Sequence, residues 1–120
     1  MTRIRSFSHA FAGLRHVLRT QKNAWIHTIA TVTIISLALW LKIEPREFAI
    51  LILTIGTVWT AEFINTALEA VVDLASPQNH PLAKVGKDVG AAAVLIAAIS
   101  SAVIGLIILG PALLQKLGSM

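Results

Sequence analysis

Long apolar runs alternate with short charged ones along this chain. Residues 24–41 hold one ionisable side chain, His27, near their start. Residues 48–61 hold no charge, and the apolar run then continues to Ala75 carrying Glu62, Asn65, Glu69 and Asp73. Residues 89–115 hold no charge at all. A helix rises about 1.5 Å per residue, so runs of these lengths approach or exceed a hydrocarbon core of about 30 Å. The pattern predicts three membrane helices, over 24–41, 48–75 and 89–115. Upstream, Ile4, Phe7, Phe11, Leu14 and Leu18 recur at three- and four-residue steps among Arg3, Arg5, Arg15, Arg19 and Lys22. That spacing predicts an amphipathic helix over 3–22, lying on a membrane surface. Residues 42–47 form a short charged turn punctuated by Pro45, and 76–81 a polar loop. Residues 82–88 read as a short separate segment holding Lys84, Lys87 and Asp88, and Gly110-Pro111 marks the expected end of the third span. Small residues from Ala91 to Gly105 suit close packing of that span against other helices.

Composition turns this pattern into a fold class. Of 120 residues, 56% are hydrophobic and 13% charged, and the mean hydropathy is +0.77. So few charges cannot cover a small soluble globule, and a disordered chain has the opposite composition. The expected fold is all-α integral membrane: one domain over 1–120, with a surface helix and three transmembrane helices. No cysteine is present, which excludes disulfides, thiolate metal sites and a thiol nucleophile. The net charge of +4 comes from basic residues flanking apolar runs, so an anionic membrane face is the expected partner and nucleic acid is not. Trp25 and Trp40 sit where an interfacial belt would lie. No cleavable signal is expected at the N-terminus. The positive-inside rule places the N-terminus and the 76–88 loop in the cytoplasm, and the C-terminal tail outside.

Within the second span, Glu62, Asn65, Glu69 and Asp73 are three, four and four residues apart. At about 100° per residue they fall within roughly an 80° arc of one helix face. A helix end emerging into water accounts for Asp73 and partly for Glu69, but poorly for Glu62, about 20 Å from Ala75 along the axis. Intramembrane acids face a bundle interior or a wet cavity, and three together need protons or a cation to offset their repulsion. Two chemistries use such a stripe: ion-coupled transport, and phosphoryl transfer through Mg²⁺ held by carboxylates. Phosphoryl transfer also wants a cation against phosphate, which Lys84 or Lys87 beside Asp88 supplies and a transporter leaves unexplained. Gly86-Lys87-Asp88 is not a phosphate loop, since Pro81 stands where the first glycine belongs and Asp follows the lysine. His9, His16, His27 and His80 form no local metal-binding constellation. A purely structural membrane subunit is the third reading.

The segments Glu62-Phe63-Ile64-Asn65-Thr66-Ala67-Leu68-Glu69-Ala70-Val71-Val72-Asp73 and His80-Pro81-Leu82-Ala83-Lys84-x-x-Lys87-Asp88-x-x-Ala91-Ala92-Ala93-Val94 resemble the signatures of the prokaryotic diacylglycerol kinase and undecaprenol kinase family. Ser6-Phe7-x-x-Ala10-Phe11-x-Gly13-Leu14 and Asn23-x-x-Ile26-His27 are similar to its amino-terminal pattern. The resemblance implies an ATP-dependent lipid kinase of the bacterial inner or plasma membrane, a homotrimer whose active sites are shared between subunits. It implies Mg²⁺ as cofactor, ATP as co-substrate and a lipid alcohol as acceptor. By position, Glu62 matches the general base, Glu69 the carboxylate holding the nucleotide's metal, and Asn65 and Asp73 supporting polar residues. Lys87 and Asp88 match nucleotide contacts, and Asn79 and His80 fall where the family approaches the nucleotide. Gln21 stands where the family commonly has a second metal-ligating Glu, offering an oxygen without the charge. The His-Pro-Leu-Ala-Lys loop and the Asn-x-x-Ile-His pattern resemble the undecaprenol kinase branch more closely, and that resemblance implies undecaprenol ahead of diacylglycerol as acceptor.

Overall fold

The structure, a computed structural model, describes residues 2–120, and all of the regular structure in them is helical. Four helices follow in order: α1 (Arg3–Thr20), α2 (Lys22–Leu41), α3 (Pro45–Ala75) and α4 (Pro81–Gly118). α2, α3 and α4 are each long and apolar enough to cross a membrane. The chain is therefore an all-α membrane protein with three spans, and its long dimension is 59 Å.

Each boundary has a local cause. Thr2 caps α1, its Oγ1 accepting from the Arg5 amide at 3.4 Å. Gln21 is extended (φ −103°, ψ 118°) and breaks the helix between α1 and α2, so α1 ends two residues short of the expected 3–22 helix. Lys42 ends α2 in the left-handed region (φ 53°, ψ 50°), reversing the chain within three residues. Pro45 then opens α3 in the first-turn position that its missing N–H suits, so α3 starts before the expected Phe48.

Two expectations for the last helix are corrected. Residues 82–88 are not a separate segment: α4 begins at Pro81, with the His80 ring Nδ1 accepting from the Leu82 amide at 3.0 Å. The charges that argued for a loop are absorbed by pairing, since Lys84 and Asp88 lie one turn apart and bond at 2.5 Å. Nor does the helix stop at Gly110-Pro111; it runs on to Gly118. A proline removes only one ladder bond, and membrane helices tolerate it where neighbours re-satisfy the freed group. Beyond it, the Lys116 ammonium lies 5.0 Å from the Trp40 ring centre, tying the last turns to α2. At about 1.5 Å per residue, α4 extends about 57 Å, well beyond a hydrocarbon core.

α3 and α4 make the most extensive helix pair, α2 packs on both, and α1 leans on α2. A buried apolar cluster of Ala38, Leu51, Ile108 and Leu109 lies at the end of the bundle where α2 turns into α3. The opposite end gathers the start of α2, the end of α3 and the start of α4. Large apolar side chains such as Leu53, Leu74, Leu106 and Ile107 point outward, as do Ile4, Phe7 and Phe11 of α1. Such a surface suits lipid or protein neighbours rather than water.

Candidate active site

The polar residues of α3 divide between two neighbours. Glu62 turns toward α2. It is 2% exposed, the most thoroughly buried large side chain among the described residues. Its Oε2 lies 3.5 Å from Nε2 of His27. Neither of those two atoms has a hydrogen-bond partner among the described residues. Thr66, one turn on, spends its hydroxyl on the Glu62 backbone carbonyl at 2.9 Å, leaving the carboxylate alone. Below the pair, Trp59 donates its indole N–H to Thr31 Oγ1 at 2.9 Å, which fixes the ring. The His27 ring meets Trp59 edge-on at 5.9 Å, and Phe63 meets Trp59 from the other side at 6.2 Å.

Asn65 turns instead toward α4. Its amide N–H donates to Glu69 Oε1 at 3.4 Å, while its Oδ1 is buried without a partner among the described residues. It fits there because Gly90 faces it: a Cβ on Gly90 would run into Asn65 Oδ1 and lie 3.1 Å from Leu68 Cδ2. A groove of about 790 Å³ passes this point between α3 and α4, lined by apolar residues such as Leu53, Ile64 and Leu68.

At the end of the bundle, Asp73, Asn79, His80, Lys84, Lys87 and Asp88 line a polar cradle of about 640 Å³. Lys87 reaches back from α4 to Asp73 of α3 at 2.6 Å, closing one wall. Hydrogen bonding to Asp73 holds the Lys87 ammonium above its ordinary pKa, reinforced by the charges of Asp73 and Glu69. Lys84 is raised in the same way by its hydrogen bond to Asp88. Ser76 braces the loop by donating to the Gln78 carbonyl at 2.8 Å.

The structure thus joins Asn65 to Glu69, Asp73 to Lys87, and Asn79 and His80 to Lys87 and Asp88. Glu62, Asn65 and Glu69 are not walls of the cradle. Gln21 lies half-buried at the α1–α2 break, its backbone N–H donating to the Val17 carbonyl at 3.0 Å. No three His, Cys, Asp or Glu side chains gather into a metal-holding group among the described residues. A magnesium ion carried by nucleotide phosphates needs only one or two protein oxygens, and the half-buried Glu69 carboxylate is a donor of that kind. The contact absent from the sequence reading is His27 with Glu62. Reflection of the chain about the turn at 42–44 opposes residue 27 to residues near 60, and that register was the available signal.

Residues 8–109 match the model of a family described as prokaryotic diacylglycerol kinase. A diacylglycerol kinase of Synechocystis is 46% identical over 111 residues, covering 92% of this chain and 63% of the relative. An undecaprenol kinase of Bacillus subtilis is 38% identical over 109 residues, covering 91% of this chain and 89% of the relative. A diacylglycerol kinase of Escherichia coli is 31% identical over 106 residues, 88% of this chain and 87% of the relative. The chain therefore spans under two thirds of the Synechocystis protein's length but most of the other two.

Proposed function

This chain belongs to the prokaryotic diacylglycerol kinase family, and from that premise we propose that it transfers the γ-phosphoryl group of ATP to the primary hydroxyl of a membrane lipid alcohol. The observation that carries the reading is the position of Glu62. A carboxylate buried inside a lipid-facing bundle is costly to keep unless it has a task. It lies two turns from Glu69 on the same helix, between a bilayer that delivers lipid and a polar cradle that offers two lysines to a nucleotide.

In this reading the acceptor enters laterally from the bilayer and Glu62 accepts its hydroxyl proton, so the oxygen attacks the γ-phosphorus in line. The bond to the β-phosphate oxygen breaks, and ADP departs with it. Lys87 and Asp88 contact the nucleotide, the lysine on phosphate, with Asn79 and His80 as further contacts. Glu69, with the neutral oxygen of Gln21, would hold Mg²⁺, which would offset the charge developing on the phosphates. Asn65 orients Glu69, and Asp73 orients Lys87.

One subunit encloses too little wall for both substrates, which favours a homotrimer with sites shared between copies. The cradle then faces the cytoplasm with the N-terminus, and the C-terminus lies outside. Undecaprenol is the first acceptor to test, on the strength of the His80-Pro81-Leu82-Ala83-Lys84 loop. The experiment is a paired assay of labelled phosphate transfer from ATP to undecaprenol and to diacylglycerol in mixed micelles. Label on undecaprenol first, with Glu62→Gln about 10²- to 10⁴-fold slower, is expected for a general base. Transfer to neither lipid refutes the activity, and full turnover by Glu62→Gln refutes the role of the carboxylate.

A further inference from the structure

We infer that His27 is a positioning residue for the Glu62 carboxylate, a role that rests on the lipid-kinase reading above. The two side chains come from different helices, are 14% and 2% exposed, and bring Nε2 and Oε2 to 3.5 Å. Those atoms have no hydrogen-bond partner among the described residues, and each lies within 3.5 Å of the other. A buried carboxylate without a donor is expensive, and an unanchored one turns freely about its side-chain bonds. An imidazole N–H aimed at one oxygen removes both problems and leaves the other oxygen for the acceptor hydroxyl. Contacts of this kind are often long in an unliganded site and tighten in the reacting complex.

The imidazole is itself held from below. Trp59, pinned to Thr31 at 2.9 Å, supports its ring edge-on, which sets the plane in which Nε2 points. No other charged group competes for the position. α4 carries no charge from Val89 to Gln115, and Lys22, the other ionisable residue of α2, is exposed at its first position. Glu69, the next acid on α3, lies two turns away, and His16 and Arg19 of α1 are exposed. For Nε2 to donate, the neutral ring must carry its proton there and not on Nδ1.

The test uses the full chain in lipid nanodiscs with ¹⁵N-labelled histidine. The expected result is a His27 ring protonated at Nε2 whose resonance moves in Glu62→Gln. In the transfer assay, His27→Phe lowers kcat about tenfold with KM for ATP unchanged, and His27→Gln, which keeps an N–H, recovers most of the rate. An Nε2 resonance indifferent to Glu62→Gln overturns the pairing, as does a His27→Phe enzyme with the wild-type kcat. Equal losses in both His27 variants, with matching falls in melting temperature, mark a purely structural residue and also overturn it. A wild-type protein with the expected resonances but no lipid phosphorylation refutes the kinase reading and leaves the pairing standing.

Discussion

Replacing Gly90 by alanine tests how closely α3 and α4 approach. The new methyl would overlap Asn65 Oδ1 and press on Leu68 Cδ2 at 3.1 Å. Asn65 has little room to yield, because its amide nitrogen is bonded to Glu69 and its oxygen is enclosed. Overpacking of this kind costs about 1–3 kcal/mol. Against it stands a helix-propensity gain of about 1 kcal/mol for any interior Gly→Ala. Gly86 provides the control. It lies one turn earlier in α4, and a Cβ there meets Val72 Cγ2 at 3.5 Å, an ordinary contact. The propensity gain is common to both variants, so their difference isolates the steric term: Gly90→Ala should be less stable than Gly86→Ala by about 1–3 kcal/mol. Reversible unfolding of both variants in mixed micelles, followed by circular dichroism, measures it. Equal stability to within about 0.5 kcal/mol, a spread usual for neutral substitutions, would refute the close approach.

Asp73→Asn should lower the pKa of Lys87 toward its ordinary 10.5, because the Asp73 hydrogen bond is the main cause of its elevation. The sign follows: the pair's contribution is complete below that ordinary value and is lost as pH rises through the higher folded-state value. Alkaline titration of ¹³C-dimethylated lysines checks this, and an unmoved Lys87 curve contradicts it. Trp59→Phe removes a 2.9 Å bond to Thr31 that joins two spans. Coupling of Trp59→Phe with Thr31→Val in a double-mutant cycle should come to about 0.6 kcal/mol, the average for such bonds in membranes, and strict additivity would count against the bond.

Sequence showed the spans readily, because three long apolar runs, charged only along the stripe of the second, have no other home than a bilayer. The amphipathic spacing of Ile4, Phe7 and Phe11 likewise matches a helix with those side chains outward. It misplaced the ends of α4 for opposite reasons. Lys84, Lys87 and Asp88 read as loop because single-residue polarity ignores partners, and their partners are one turn away or on α3. Pro111 read as a stop because its local penalty is real in water, whereas the neighbours that offset it appear only in the bundle. The stripe of Glu62, Asn65, Glu69 and Asp73 was legible as one face. That the face splits, Glu62 toward α2 and Asn65 toward α4, was not. A split of that kind depends on helix rotation within the bundle, which periodicity alone does not give.

The cluster of Ala38, Leu51, Ile108 and Leu109 fastens the three spans at the end far from the polar residues. At the near end small or polar side chains, Ala24, Glu62, Thr66 and Gly90, are buried beside Val17, Val58 and Val94. The bundle is thus packed apolar at one tip and around small or polar side chains at the other. From Ile108 back to Gly90 the arm along α4 is about 27 Å, so a tilt of about 5° about that cluster displaces the Gly90 end by about 2 Å, the scale of a methylene's radius.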